Sequence, residues 1–333
     1  MSAAPRDSAH WAGVAEVGSA FGMSFLYWVY RLFGRVPFRL VLIPVALYFF
    51  CFKGRQRAAS LEFLARCHAL RPEGPRPSAY NSFRHFLSFG EAMLDKLVAW
   101  NGGLGFQDVT FEGYDPVRAA IAAGKGALLI GSHLGNLEVC RVLSQQRKGL
   151  RLRVLVHTRH AQNFNRMMQR LNPQSHVSLQ QVTELGVAEA AELSAWVESG
   201  GFVLIAGDRV PVPNAAGSRA ERVSRASFLG HPAPFPQGPW LLASVLGCPV
   251  FSLFCVRAGR RFRASFEALG ERVELPRKGR EQALQSWVLR FAQRLEREAL
   301  LSPLQWFNFF PFWASPVALP AAGQAESEKK AER

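Results

Sequence analysis

The chain of 333 residues is short of several things at once, and each shortage closes a class of protein. Its five cysteines, Cys51, Cys67, Cys140, Cys248 and Cys255, are scattered, and none forms a C-x-x-C pair. A disulfide framework and a structural zinc site are therefore not expected, and a reducing compartment fits best. No P-loop, dinucleotide fingerprint or H-E-x-x-H helix is present, and no period of 33 to 45 residues marks a repeat. Acidic residues are few: 25 Asp and Glu stand against 40 Lys and Arg, a formal charge of +15. That balance calls for an anionic partner: nucleic acid, an anionic membrane, or an acidic carrier protein or substrate. Tyrosine is also scarce, 5 against 26 Phe, which leans towards apolar contacts rather than base stacking. No basic helix stripe, zinc finger or RNP-like aromatic motif supports nucleic acid.

The N-terminal region lacks an uninterrupted apolar run of the ~20 residues that a simple membrane span needs. From Phe21 the chain turns apolar, but Arg31, Arg35 and Arg39 interrupt it. The stretch Leu40 to Phe52 then runs without a charge, broken by Pro44, before Lys53, Arg55 and Arg57. A cleaved signal peptide would place its apolar stretch nearer the start and a small-residue site after it. Two readings fit: a membrane-embedded or interfacial segment with arginines at headgroup level, or a buried core helix. The aromatic end of the run (Tyr48, Phe49, Phe50, Phe52) and its basic flanks favour the membrane.

What the rest of the chain has is alternation. Apolar spacing predicts helices over 56–70, 79–100, 115–123, 136–148, 161–171, 186–199, 237–247 and 279–300. Short buried runs predict strands over 126–130 (GALLI), 152–157, 202–206 (FVLIA), 249–256 and 261–267. This is the pattern of an α/β fold: a mostly parallel central sheet flanked by helices, here preceded by an N-terminal membrane-associated helical segment. The expected organisation is an unstructured 1–20, a membrane-associated segment 21–55, a main domain 56–315 and a flexible tail 316–333.

Ligands of α/β sheets bind beyond the carboxyl ends of the strands, so the turn after GALLI is the first place to look for chemistry. It reads Gly131-Ser132-His133-Leu134-Gly135-Asn136-Leu137-Glu138. On one continuous helix His133 and Glu138 would point about 140° apart. The pair makes sense only with His133 in the turn and Glu138 in the helix that follows. A neutral imidazole can then take a proton from an alcohol, and a carboxylate on its far nitrogen can fix the tautomer. On spacing alone, a helix cap or a packed side chain fits equally well.

GSHLGNLE resembles the H-x-x-x-x-D/E box of glycerolipid acyltransferases, and more closely that of the bacterial lipid A biosynthesis late acyltransferases. Further segments resemble that family in order: Arg159 to Asn163 (Arg-x-x-x-Asn), Gly207-Asp208-Arg209, Phe228-Leu229-Gly230 with Gly238-Pro239, Gly247 to Val250, and Pro303-Leu304-Gln305-Trp306. The likeness runs from about residue 21 to 313. It implies transfer of an acyl chain from an acyl carrier protein thioester to a lipid hydroxyl. The acceptor would be of lipid A type or another lipid or aryl-polyene precursor, and the site the cytoplasmic face of the inner membrane, with no metal or cofactor. His133 would be the general base and Glu138 its orienting partner. Arg159, Asn163, Asp208, Arg209 and Gly238 would bind substrate, the last through backbone N–H groups of Gly238 and Trp240 at a helix start. The basic stretch 209–225 would meet the acidic carrier protein. Two alternatives stay open: an acyl-CoA-dependent lysophospholipid acyltransferase, and a non-catalytic basic membrane-binding protein on a degenerate acyltransferase fold.

Overall fold

The computed structural model describes residues 20–146, 150–156, 179–181, 186–210 and 223–314. The expected unstructured start, apart from Ala20, the tail 316–333, the helix over 161–171 and most of the basic stretch 209–225 lie outside them.

The chain begins with four helices: α1 (Ala20–Phe33), α2 (Arg35–Phe52), α3 (Gly54–Leu70) and α4 (Ala79–Trp100). α2 continues through Pro44 and buries Phe38, Leu42 and Ala46, one turn apart, along a single stripe. The stripe packs on Leu94 and Val98 of α4. Close approach depends on Gly90, where a Cβ would fall 2.7 Å from a Leu42 methyl. Arg35 and Arg39 turn onto α4 and pair with Asp95, which Arg257 shares, and with Glu91, so two of the three arginines interrupting the apolar stretch have partners within the protein. The outer face of α2 stays bare: Val36, Leu40, Ile43, Leu47 and Phe52 are exposed. Among the described residues α2 is the one helix long and apolar enough to cross a membrane, with a mean hydropathy of 1.7.

The described strands of the main sheet are β1 (Val109–Glu112), β2 (Ala127–Gly131), β3 (Leu152–Val156), β4 (Leu179–Gln181), β5 (Phe202–Ala206), β8 (Val250–Ala258) and β9 (Arg261–Gly270), in the order β1-β9-β8-β2-β5-β3-β4. Every pairing is parallel except β8 with β9. β2 is buried at all five positions, because both faces of the sheet are covered. On one face Leu128 and Ile130 pack with Phe291 and Leu295 of α9 (Arg280–Leu301) and with α8 (Gly238–Leu246). On the other, Leu129 packs with Val117 of α5 (Asp115–Ala122) and with Leu137 of α6 (Leu137–Gln146). α7 (Val187–Glu198) leads into β5. The expected α/β class and mostly parallel sheet are what the chain forms.

Three features depart from the expected element list. β1 and β4 add the two end strands of the described sheet, and β6 (Val223–Phe228) and β7 (His231–Pro236) form an antiparallel hairpin against α9. Prolines at 232, 234 and 236 argue against a strand in the sequence. They alternate, however, so their missing N–H groups all fall on one edge, and β7 pairs along only one of its edges, with β6.

Candidate active site

His133 lies two residues beyond the end of β2, in a turn clamped from both sides. Gly135 donates its N–H to Gln305 O at 2.7 Å, Asn136 N–H to Cys255 O at 2.6 Å, and Phe307 N–H to His133 O at 3.1 Å. Gly135 has φ +73°, and a Cβ there would stand 2.0 Å from Cys255 O, so only glycine fits between the turn and β8. The turn is thus wedged between β8 and the closing strap 305–308.

The carboxylate that meets the imidazole is Asp208. His133 Nδ1 lies 2.8 Å from Asp208 Oδ1, and the His133 backbone N–H donates to Oδ2 at 3.0 Å. Two strap residues complete the shell: Trp306 Nε1 donates to Oδ2 at 3.1 Å and Asn308 Nδ2 at 3.4 Å. The reason is sheet register. β2 and β5 run side by side with Gly131 opposite Ala206, and Gly207 N–H reaches Gly131 O at 2.9 Å. Two residues further along each chain come His133 and Asp208.

Bonding to a carboxylate puts the proton on Nδ1 and leaves the lone pair on Nε2. Burial, then the charge of Arg209, holds His133 below its ordinary value, against the pull of Asp208. The imidazole is therefore neutral and basic near pH 7. Its side chain is 37% accessible, whereas Asp208 is fully buried. Burial alone would raise the Asp208 carboxyl, but His133, its hydrogen bonds and Arg209 hold it down at about 2. The imidazole is reachable from solvent, and its carboxylate partner is sealed.

Glu138, which the H-x-x-x-x-E spacing assigns to the imidazole, bonds elsewhere. It sits in the first turn of α6 and accepts from Trp100 Nε1 at 2.9 Å and Arg141 Nε at 2.7 Å. Arg141 is almost fully buried and stacks over the Trp100 ring, 4.1 Å from its centroid. The carboxylate joins α6 to α4 rather than orienting His133, because the clamped turn sends the first turn of α6 against α4.

The remaining expected residues separate. Arg209 donates to Asn308 Oδ1 at 2.7 Å and to Phe307 O at 2.8 Å, bracing the strap. Burial lowers it to about 10, so it stays cationic beside His133. Gly238 opens α8, and none of the described hydrogen bonds joins it to His133 or Asp208. The Trp240 N–H donates to Gln237 O at 3.1 Å, inside the first turn of α8, so that donor is already engaged. Arg159 and Asn163 lie outside the described residues. Three contributors carry no assigned role in the sequence reading: Trp306 and Asn308, which finish the Asp208 shell, and Lys96 of α4, whose charge acts on His133 and Glu138. The signal for Trp306 is the Pro-x-Gln-Trp segment itself, which returns to the sheet edge and carries Asn308 two residues further on. Among the described residues no group of three His, Cys, Asp or Glu side chains is placed to hold a metal ion.

The structure thus sets a histidine on a buried carboxylate at the carboxyl edge of a mostly parallel α/β sheet, where ligands of such sheets bind. Residues 16–315 match the family described as bacterial lipid A biosynthesis acyltransferase, and the chain belongs to that family. It is accordingly an acyltransferase of the lipid A type. Comparison with individually characterised proteins gives no match.

Proposed function

We propose that the protein moves an acyl chain from an acyl carrier protein thioester to a hydroxyl of a lipid A-type acceptor, with His133 as general base and Asp208 as its anchor. The observation that carries this reading is the 2.8 Å contact between His133 Nδ1 and Asp208. His133 Nε2 takes the proton of the acceptor hydroxyl as its oxygen attacks the thioester carbonyl. The new C–O bond forms, the C–S bond breaks, and the imidazolium returns its proton to the departing thiolate. No covalent enzyme intermediate is needed, and Asp208 stabilises the imidazolium while it lasts. Arg209 and Lys96, the cations that act on His133, offset the charge that develops on the carbonyl oxygen. Arg159 and Asn163 serve the polar head of the acceptor.

The bare apolar face of α2 rests in the cytoplasmic leaflet of the inner membrane, and the +15 charge suits both anionic lipid and an acidic carrier protein. The test is transfer from dodecanoyl-acyl carrier protein to a lipid A precursor by purified protein in detergent. His133→Ala is expected to lower turnover by about 10²–10⁴-fold with little change in KM. Near wild-type turnover in that variant overturns the assignment of the base, and a preference for acyl-CoA overturns that of the donor.

A further inference from the structure

His85, on α4, is fully buried, and the reaction above does not use it. Its Nε2 lies 3.0 Å from the carbonyl oxygen of Trp306, and its Nδ1 3.0 Å from Ser60 Oγ of α3. A carbonyl oxygen only accepts, so Nε2 carries the proton and Nδ1 accepts from Ser60. Ser82 Oγ donates in turn to Ser60 Oγ at 3.0 Å. Ser60 and Ser82 are as buried as the histidine. The three groups form a one-way chain of hydrogen bonds that ends on the Trp306 carbonyl. The ring is packed by Phe309, 4.6 Å away between centroids, and by Phe63 at 5.8 Å. Burial lowers His85 to about 4, so it is neutral across the working range of the enzyme.

Trp306 is also where the strap meets the catalytic pair. Its indole N–H is one of the four donors to Asp208. Its neighbours Gln305 and Phe307 hold the His133 turn through Gly135 N–H and His133 O. A shift of the Trp306 carbonyl moves all of these contacts together.

We propose that His85 is a positioning residue for acyl transfer: its Nε2–H pins the Trp306 carbonyl, and the pinned tryptophan keeps Asp208 aligned on the imidazole of His133. This rests on the reading of His133 and Asp208 given above. The charged groups facing His133 are Asp208, Arg209 and Lys96, and those facing Lys96 include Glu138 and Arg141. His85 itself meets Ser60, Phe63, Phe307 and Phe309 together with the carbonyl. Asp208 is what favours the imidazolium of His133, so a carboxylate out of line weakens that hold and His133 then titrates at lower pH.

The experiment compares His85→Phe, His85→Gln and His85→Asn in the full chain. The carboxamide nitrogen of Gln reaches the position of Nε2, whereas that of Asn stops at Nδ1. Titration of ¹⁵N-histidine by NMR follows His133, whose signals are identified by their loss in His133→Ala. Turnover with dodecanoyl-acyl carrier protein and a lipid A precursor is followed against pH. His85→Phe and His85→Asn are expected to lower the His133 titration point and to shift the acidic limb of kcat/KM downward. They are also expected to lower kcat by about 10- to 100-fold with KM unchanged, the scale of a small misplacement of a reacting group. His85→Gln restores the wild-type titration and most of the turnover. If all three variants lose only thermal stability, with His133 titrating as in the wild type, His85 is merely structural and the proposal is overturned. Should the Phe variant not fold, the Gln and Asn pair decides, and equal titration in both overturns it. Full activity in His133→Ala defeats the reading of the site instead, and the NMR titration then still answers for His85.

Discussion

Replacing Asp208 by asparagine keeps the shape of the side chain and changes two things, charge and donor pattern. The carboxyl titrates at about 2, against an ordinary 3.8, so its surroundings favour the ionised form by ~2 kcal/mol. Loss of that charge removes what stabilises the imidazolium as it forms. The donor pattern matters more. Oδ2 receives three N–H groups, from His133 N, Trp306 and Asn308, whereas Oδ1 receives only His133 Nδ1. The amide oxygen of Asn must take the place of Oδ2, because an NH₂ there would face three donors. The NH₂ then faces Nδ1, which must accept, and the imidazole proton moves to Nε2. The nitrogen that should take the substrate proton no longer has a lone pair. The expected loss is therefore about 10³–10⁴-fold in kcat, the scale of a catalytic histidine locked in the wrong tautomer, with KM little changed because Asp208 is sealed from substrate. The assay is single-turnover acyl transfer at saturating donor, with ¹⁵N shifts of His133 to read the tautomer. A variant that retains turnover within about 30-fold, or whose His133 keeps its proton on Nδ1, would refute the argument.

Glu138→Gln strips the ion partner from the buried Arg141, so a loss of about 3–5 kcal/mol and a thermal midpoint roughly 10 °C lower are expected. An unchanged midpoint in differential scanning fluorimetry would show that the pair is not what holds α6 to α4. Acid should destabilise the protein well above the carboxylate range. His85 is held at about 4 when folded and near 6.5 when unfolded, so the unfolded chain binds more protons between those values. Stability is complete above pH 6.5 and falls by ~3 kcal/mol towards pH 4, and denaturant unfolding that is flat between pH 7 and 4.5 would contradict neutral burial. Leu40→Glu combined with Leu47→Glu alters only exposed positions of α2, so folding should survive while binding to phosphatidylglycerol-containing vesicles weakens at least tenfold. Unaltered flotation with vesicles would mean that this face of α2 does not touch lipid.

Much of this molecule is legible in one dimension. GALLI and FVLIA announce strands covered on both faces, and the apolar spacing of 279–300 and 79–100 announces one helix that covers the sheet and one that packs on α6 and the strap, because burial imposes its period on the sequence. The place of the candidate site was equally readable, since His133 follows a buried strand through a glycine turn. The choice of carboxylate was not. Glu138 lies five residues from His133 and looks like its partner on paper. Asp208 lies 75 residues away and is its partner in space, because parallel strands bring equivalent positions beyond their ends together. The same holds for the β6–β7 hairpin, whose prolines are tolerated only because β7 has an unpaired edge, and for His85, which in sequence is one more residue of an amphipathic helix. Local patterns record whether a residue is buried. Which two buried polar groups meet is set by strand register and by the packing of the closing strap, and those exist only once the chain has folded.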